Sequence, residues 1–165
     1  MDRPAKSSAN LGLAVQDIRG DAEVASRITA WRTLAPRAAR YADLPAEIDP
    51  RLRVLLSDEG VGRLYSHQAE AIDSVLRGEH IIVVTPTASG KTLCYNVPVL
   101  HTLLTDPQAR ALYIFPTKAL AHDQLHTLQR WLDGLGGERS AAAYDGDTPR
   151  GQRRDIRQSA DLLVS

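Results

Sequence analysis

A Gly-Lys-Thr tripeptide at residues 90–92 supplies the chemistry of a phosphate-binding loop. Residues 85–92, "TPTASGKT", fit the pattern G-x-x-x-x-G-K-[ST] at every defined position except the first, where Thr85 replaces glycine. In such a loop, backbone N–H groups surround the phosphates, the lysine approaches the β and γ phosphates, and the threonine hydroxyl binds a magnesium ion. We therefore predict a nucleotide site that uses six residues: Thr87, Ala88, Ser89, Gly90, Lys91 and Thr92.

Gln68, in the segment "LYSHQAEAI", is the candidate for recognising the base. A glutamine amide offers both a donor and an acceptor, which matches one edge of adenine and does not match guanine. From this segment alone, a solvated residue in the first turn of a helix is an equally good interpretation.

Two further segments follow apolar runs and carry groups that suit a nucleic-acid phosphate. "FPTKALAHDQL" places Pro116, Thr117 and Lys118 where a strand ends and a helix begins, so free N–H groups, a hydroxyl and a cation meet there. "YDGDTP" follows the next apolar run. Taken singly, the favoured interpretation of the first segment is a capped helix with one surface lysine, and that of the second is a simple turn.

A group of arginines forms the densest basic patch: Arg150, Arg153, Arg154 and Arg157. Their spacing predicts one helix face, which could follow a phosphate backbone, although a solvated face is the favoured interpretation. Because Lys plus Arg and Asp plus Glu both number 20, the overall charge gives no sign of a nucleic-acid partner.

Alternating strand and helix patterns must position these groups. The apolar, β-branched run "IIVV" at 81–84 predicts a strand buried on both faces, with further strands at 111–115, 140–144 and 161–165. Helical patterns separate them at 67–78, 90–105, 117–136 and 149–160. This rhythm predicts an α/β fold with a parallel sheet flanked by helices, whose carboxyl strand ends form the ligand crevice.

The first third of the chain lacks such motifs. Residues 1–20 are polar and aperiodic, which predicts a disordered tail. Residues 21–60 predict a helical extension, with a helix capped by Asp21 that carries Val24, Ile28 and Trp31 on its core face, and a second helix capped by Asp49. Residues 61–165 are then the expected ligand-binding domain.

In this order and spacing, "LYSHQ", "TPTASGKT", "FPTKALAHDQ" and "YDGDTP" resemble superfamily 2 DEAD/DEAH-box helicases, and more narrowly the YprA-like and Hrq-like branch of DNA repair helicases. The resemblance covers about residues 64–165. It implies an incomplete first RecA-like domain of an ATP-dependent enzyme that moves 3′ to 5′ on DNA. ATP and Mg²⁺ are the implied cofactors, and single-stranded or partly duplex DNA is the implied partner.

The resemblance also implies roles for single residues. Gln68 corresponds to the adenine-reading glutamine, and Gly90, Lys91 and Thr92 correspond to the motif that binds ATP and magnesium. The residues that would face single-stranded DNA are Pro116, Thr117, Lys118 and Gln124 in one motif and Gly146, Asp147 and Thr148 in another. The acidic DEAD/DEAH box, the second RecA-like domain with its arginine finger and the other C-terminal domains would follow Ser165, so we expect no catalytic residue here and no ATP hydrolysis by the chain alone.

Two other functions stay open on the residues alone. A small phosphate-loop kinase or GTPase would place its loop nearer the start of the chain, and a GTPase would carry an Asn/Lys-x-Asp motif, which the sequence lacks. A non-catalytic DNA-binding module would use the arginine face. Cys94 is the single cysteine and no apolar run is long enough to cross a membrane, so the expected location is the cytoplasm.

Overall fold

The computed structural model describes residues 7–35, 38–87 and 89–165. The chain divides into two compact units, Met1–Ala38 and Ala39–Ser165. Within the described ranges, no helix combines the length and the hydropathy that crossing a bilayer requires.

The described part of the N-terminal unit contains two helices, α1 (Ser7–Gly20) and α2 (Ala22–Arg27). The predicted disordered tail is therefore wrong for residues 7–20, while residues 1–6 lie outside the described ranges. Residues 7–20 contain no proline, and their helix formers Ala, Leu, Gln and Arg are interspersed with glycine and serine, so neither propensity nor apolar periodicity indicated this helix. Leu11 and Leu13 are exposed on α1.

The helix predicted after Asp21 forms but ends early. The Asp21 carboxylate accepts hydrogen bonds from the backbone N–H groups of Glu23 and Val24, at 2.9 and 3.1 Å, as predicted for an N-cap. At Ile28 the backbone is already extended, and Trp31 is 43% exposed with the Arg19 guanidinium 4.2 Å from its ring centroid. The core face expected for Trp31 is wrong, because α2 buries no residue that would favour a longer helix.

The second unit opens with a small antiparallel pair, β1 (Tyr41–Ala42) and β2 (Leu64–Tyr65). The helix α3 (Pro50–Asp58) lies between these two strands in the sequence. Asp49 caps α3 by accepting from the Arg51 N–H at 2.8 Å. Leu52 and Leu56 of α3 are fully buried in the main core. The compact unit therefore begins at Ala39, which differs from the boundary at residue 60 that the sequence predicted.

A three-stranded parallel sheet follows, consisting of β3 (Ala111–Tyr113), β4 (Ala141–Ala143) and β5 (Leu162–Val164), in the order β3-β5-β4. Besides α3, the described helices of this unit are α4 (Ser66–Leu76), α5 (Lys91–Thr105), α6 (Lys118–Gly134) and α7 (Arg153–Ser159). The apolar faces of α4, α5 and α6 and the sheet form one core, which includes Ile72, Val97, Leu100, Leu128, Trp131, Leu162 and Val164, and α7 buries no residue. The predicted α/β architecture with a parallel sheet is confirmed.

The run at 81–84 differs from its prediction. It forms no strand ladder within the described residues, and Ile82 and Val84 are 92% and 88% exposed. β-Branched composition favours an extended chain, but a strand also needs a hydrogen-bonded neighbour. β3 does have a paired neighbour, β5, but only one of its faces is covered: Tyr113 is buried, whereas Leu112 and, just after the strand, Ile114 are exposed.

Candidate nucleotide site and nucleic-acid interface

The candidate phosphate loop runs from residue 85 into the first turn of α5. Gly90 precedes the helix in a left-handed conformation, with φ 72° and ψ 31°. A Cβ at this position would collide with Gln68 Nε2. Glycine is thus required twice, by the backbone angle and by the contact with Gln68.

The Lys91 ammonium lies within the curve of this loop. Its Nζ donates to the carbonyl oxygens of Thr85 and Pro86, at 3.0 and 2.8 Å, and lies 3.4 Å from the hydroxyl oxygens of Thr85 and Ser89. Those two hydroxyls hydrogen-bond to each other at 2.6 Å, which closes the loop across its base. Thr85, the one departure from the glycine pattern, therefore contributes both an oxygen ligand for the lysine and the closing contact.

Gln68 is buried, at 3% exposure, so the interpretation as a solvated first-turn residue is wrong. Its Oε1 accepts from the Tyr65 N–H at 2.8 Å, and its Nε2 donates to the Gly90 carbonyl at 2.9 Å. Both ends of the amide are thus used by the chain itself. Gln68 fixes the start of α4 to the end of the phosphate loop, and His67 adds a second tether because its Nε2 lies 3.1 Å from the Ser89 carbonyl oxygen.

An open cleft of about 540 Å³ adjoins Gln68 and Gly90. Tyr41 and Tyr65 stack on one wall, with ring centroids 5.3 Å apart, and the Arg63 guanidinium carbon lies 5.6 Å from the Tyr41 centroid. Aromatic and guanidinium faces of this kind suit a planar base. The sequence interpretation missed Tyr41 and Arg63. The closeness of Arg63 to "LYSHQ" was a usable signal, whereas Tyr41 reaches the cleft only through the β1–β2 pairing.

The remaining predicted nucleotide residues surround this arrangement. Thr87 is exposed at the turn of the loop, and Thr92 is half-buried in the first turn of α5. Ala88 lies outside the described residues. Within the described ranges, no cluster of three or more His, Cys, Asp or Glu side chains could hold a metal ion, so Thr92 stays the only predicted magnesium ligand.

The two segments predicted to face nucleic acid are joined by one ion pair. The Lys118 Nζ lies 2.5 Å from Asp147 Oδ2, and both side chains are exposed. Thr117 caps α6 by accepting from the Leu120 N–H at 3.3 Å, and Pro116 is exposed beside it. The hydrogen bond that Lys118 donates to Asp147 raises the pKa of Lys118, and the carboxylate already balances the charge of this cation.

The loop at 145–148 is an ordered turn. The Asp145 carboxylate accepts from the Asp147 N–H at 2.8 Å, and the buried Thr148 hydroxyl accepts from the Asp145 N–H at 2.9 Å. That backbone hydrogen bond from Asp147, followed by the charge of Lys118 and the hydrogen bond with His122, lowers the pKa of Asp145. The exposed Gly146 lies at the tip, where its Cβ position would be 3.9 Å from Lys118 Nζ.

The arginine patch differs from its prediction. α7 begins at Arg153, so Arg150 precedes the helix and the four arginines do not share one helical face. The Arg153 guanidinium donates to the carbonyls of Thr148 and Asp145, at 2.9 and 3.1 Å, and therefore holds the 145–148 turn in place. Both Arg153 and Arg157 lie over the Tyr144 ring, at 5.8 and 6.0 Å from its centroid.

Gln124 lies further along α6 than the other predicted nucleic-acid residues. Its Nε2 donates to Asp123 at 3.3 Å, and its Oε1 is buried without a partner among the described residues. The structure thus brings Thr117, Lys118 and the 145–148 turn together, while Gln124 is held by its own neighbour on the helix.

Comparison with known proteins identifies the family. The DEAD/DEAH box helicase family matches residues 65–165. Over 92% of its length the chain is 42% identical to the ATP-dependent helicase YprA of Bacillus subtilis and 36% identical to the ATP-dependent helicase HRQ1 of Saccharomyces cerevisiae. It covers 20% and 14% of those proteins.

Among solved structures, the chain is similar to the DUF1998 helicase MrfA bound to DNA and AMPPNP. The TM-score is 0.82 at 41% identity, over 92% of this chain and 21% of MrfA. The chain therefore spans about a fifth of the length of YprA and of MrfA. Residues 65–165, which match the family, contain both the phosphate loop and the Lys118–Asp147 cluster. The chain belongs to the DEAD/DEAH box helicase family.

Proposed function

We propose that this chain is the ATP-binding N-terminal part of an ATP-dependent 3′–5′ DNA helicase that acts in DNA repair. The observation that carries the proposal is the loop around Lys91, which already holds a lysine ammonium among neutral oxygen atoms at a helix N-terminus. An ATP phosphate would replace those oxygens as the partner of the ammonium and would also accept from backbone N–H groups at the start of α5. The relative MrfA, crystallised with DNA and AMPPNP, supports this assignment.

The base would occupy the cleft beside the loop. Tyr41, Tyr65 and Arg63 offer flat faces for stacking, and Gln68 lies at the floor between the cleft and Gly90. Reading adenine with the Gln68 amide would require one of its present hydrogen bonds to be exchanged for a bond to the base. Thr92 would hold the magnesium ion through its hydroxyl, which neutralises phosphate charge.

DNA would bind at the second cluster. Lys118 supplies a cation, Thr117 and the start of α6 supply donors, and the Gly146 turn allows close approach of a phosphate. The acidic Asp/Glu box of the family is not among the 165 residues, so this chain would bind ATP without hydrolysing it. The second RecA-like domain of the helicase is the proposed protein partner. We also propose a cytoplasmic location, as expected from the sequence.

Calorimetric titration of the purified chain with ATP and then with GTP, each with and without magnesium, tests the proposal. We expect one saturable ATP site, weaker binding without magnesium, and weaker binding of GTP. Equal affinity for the two nucleotides would favour the phosphate-loop kinase or GTPase interpretation, and absence of ATP binding would refute the proposal. Measurable ATP turnover that is lost in Lys91→Ala would refute the statement that the chain does not hydrolyse ATP.

A further inference from the structure

A buried polar contact joins α5, the helix that begins at the phosphate loop, to the edge strand β3 of the sheet. The Tyr113 hydroxyl on β3 donates to Asn96 Oδ1 on α5 at 2.9 Å. Asn96 is fully buried and Tyr113 is 8% exposed. Within the described residues, this is the only hydrogen bond between two buried side chains.

The position of this contact relates it to both candidate sites. Asn96 follows Lys91 by five residues on the same helix, about 7.5 Å along the helix axis. Tyr113 ends β3, and Thr117 and Lys118 follow it within a few residues at the start of α6. The hydrogen bond therefore links the element that leaves the nucleotide site with the element that enters the nucleic-acid site.

Packing alone does not account for an asparagine at this position. The Asn96 Nδ2 group is buried and has no partner among the described residues, so the side chain carries a desolvation cost that a leucine would avoid. Tyr113 is held on both sides, by an edge contact with Tyr95 at 5.6 Å and by stacking with Phe115 at 6.1 Å between centroids. Burial also raises the pKa of Tyr113, so its hydroxyl stays a donor at neutral pH.

We infer that Asn96 and Tyr113 are positioning residues that couple nucleotide binding at the Lys91 loop to nucleic-acid binding at the Lys118 segment. Phosphate binding withdraws Lys91 from the carbonyls of Thr85 and Pro86, which changes the start of α5. A helix moves as a stiff body over five residues, so Asn96 follows, and its hydrogen bond draws the end of β3 with it. The inference depends on the proposed function, since it requires both sites.

The test measures ATP affinity of the chain with and without a saturating single-stranded DNA oligonucleotide. We expect DNA to change the ATP dissociation constant by about fivefold or more in the unmodified chain. Tyr113→Phe should bring this ratio close to one and leave ATP affinity without DNA within about twofold. Tyr95→Phe is the matched control, because Tyr95 contacts the Tyr113 ring but takes no part in the hydrogen bond with Asn96, and it should keep the full ratio.

A double variant separates coupling from stability. Replacing both partners by apolar groups of similar shape, Asn96→Leu with Tyr113→Phe, removes the unpaired Nδ2 and should preserve the thermal unfolding midpoint, while the DNA effect on ATP affinity is still lost. A full DNA effect in the double variant, or no DNA effect in the unmodified chain, would overturn the inference. Failure of the unmodified chain to bind ATP at all would instead refute the proposed function, and the two failures are read from different titrations.

Discussion

Lys91 and Lys118 are both held by the chain's own oxygen atoms, but the kinds of oxygen differ. Around Lys91 the partners are carbonyl and hydroxyl groups, so the cation keeps its charge for an incoming anion. Beside Lys118 the partner is the Asp147 carboxylate, which cancels that charge. A phosphate would therefore add a countercharge at the first site but must displace one at the second.

This difference predicts unequal binding. The Lys91 loop combines an uncancelled charge with a helix N-terminus, which favours tight binding of a polyphosphate. The Lys118 cluster is exposed and charge-balanced, so we expect weaker binding there and a stronger dependence on salt.

The largest expected effect is at Lys91. Lys91→Ala removes the charged partner of the phosphates and should weaken ATP binding by about 10- to 100-fold, as expected for a charge-assisted hydrogen bond. Calorimetry measures the ATP affinity of the variant. Lys118→Ala is the matched control and should leave ATP affinity without DNA unchanged. Equal loss in the two variants would remove the distinction between the sites.

Gly90→Ala should have the next largest effect. Gly90 and Gly78 have similar left-handed angles, with φ of 72° and 79°, but a Cβ at Gly78 meets nothing within 4 Å, whereas at Gly90 it meets Gln68 Nε2. Gly78→Ala should therefore lower the free energy of unfolding by about 1–2 kcal/mol with ATP binding unchanged.

Gly90→Ala should lower the free energy of unfolding by more than Gly78→Ala does, because its Cβ also displaces the Gln68 contact. It should weaken ATP binding by about tenfold, since the left-handed alanine and the displaced contact both disturb the phosphate loop. The combination with Gln68→Ala should recover part of the lost stability. Identical unfolding midpoints for Gly90→Ala and Gly78→Ala would show that the Gln68 contact does not matter.

A second ion pair, Arg139–Asp161, gives a reference for how burial strengthens such a contact. The side chains of Arg139 and Asp161 are 17% and 20% exposed, compared with 54% and 81% for Lys118 and Asp147. Burial raises the pKa of Asp161, but hydrogen bonds from Ser140 and Arg139 outweigh it and the net direction is down. Asp161 therefore contributes stability above its ordinary pKa, and this contribution is lost as the pH falls through the lower folded-state pKa.

Asp161→Asn should lower the free energy of unfolding near neutral pH by about 1–2 kcal/mol. The difference from the unmodified chain should shrink as the pH falls below about 4, where the unfolded carboxyl binds its proton. Urea unfolding at several pH values measures this difference in the free energy of unfolding. A constant difference between pH 7 and pH 3 would contradict the role of the charge.

The smallest expected effect is at Asp147. Asp147→Asn frees Lys118 from its carboxylate and should strengthen binding of single-stranded DNA by about two- to fivefold at low salt, with a smaller gain at high salt. Fluorescence anisotropy measures the affinity for single-stranded DNA. In a Lys118→Ala background the same change should give a reduced gain. Weaker DNA binding by Asp147→Asn would mean that the carboxylate itself contacts the nucleic acid.

Local patterns in the sequence predicted the α4, α5 and α6 helices, the caps at Asp21 and Asp49, and the alternation that makes a parallel sheet. They failed where the outcome depends on a distant partner. The run at 81–84 has strand composition but no ladder among the described residues, and the Tyr41 side of the cleft arises from pairing between β1 and β2. Composition and periodicity contain no information about such contacts.

The candidate sites show the same limit. Pattern reasoning selected Lys118 and Asp147 separately, but their pairing spans 29 residues and needs the fold. It selected Gln68 as the residue that reads the base, which stays a prediction, but it did not foresee the hydrogen bonds that this amide makes with Tyr65 and Gly90. For the arginines, the pattern assumed a helix from residue 149, and the later start of α7 gave Arg153 a structural role in the neighbouring turn.

The chain's small number of lysines permits a direct test of the central claim, that the Lys91 ammonium exchanges loop oxygens for ATP phosphates. Lysine-selective NMR would observe only Lys6, Lys91 and Lys118. Saturation with magnesium and ATP should shift the Lys91 side-chain signal strongly and leave that of Lys118 in place, while single-stranded DNA alone should shift Lys118. An unchanged Lys91 signal at saturating ATP would contradict the account.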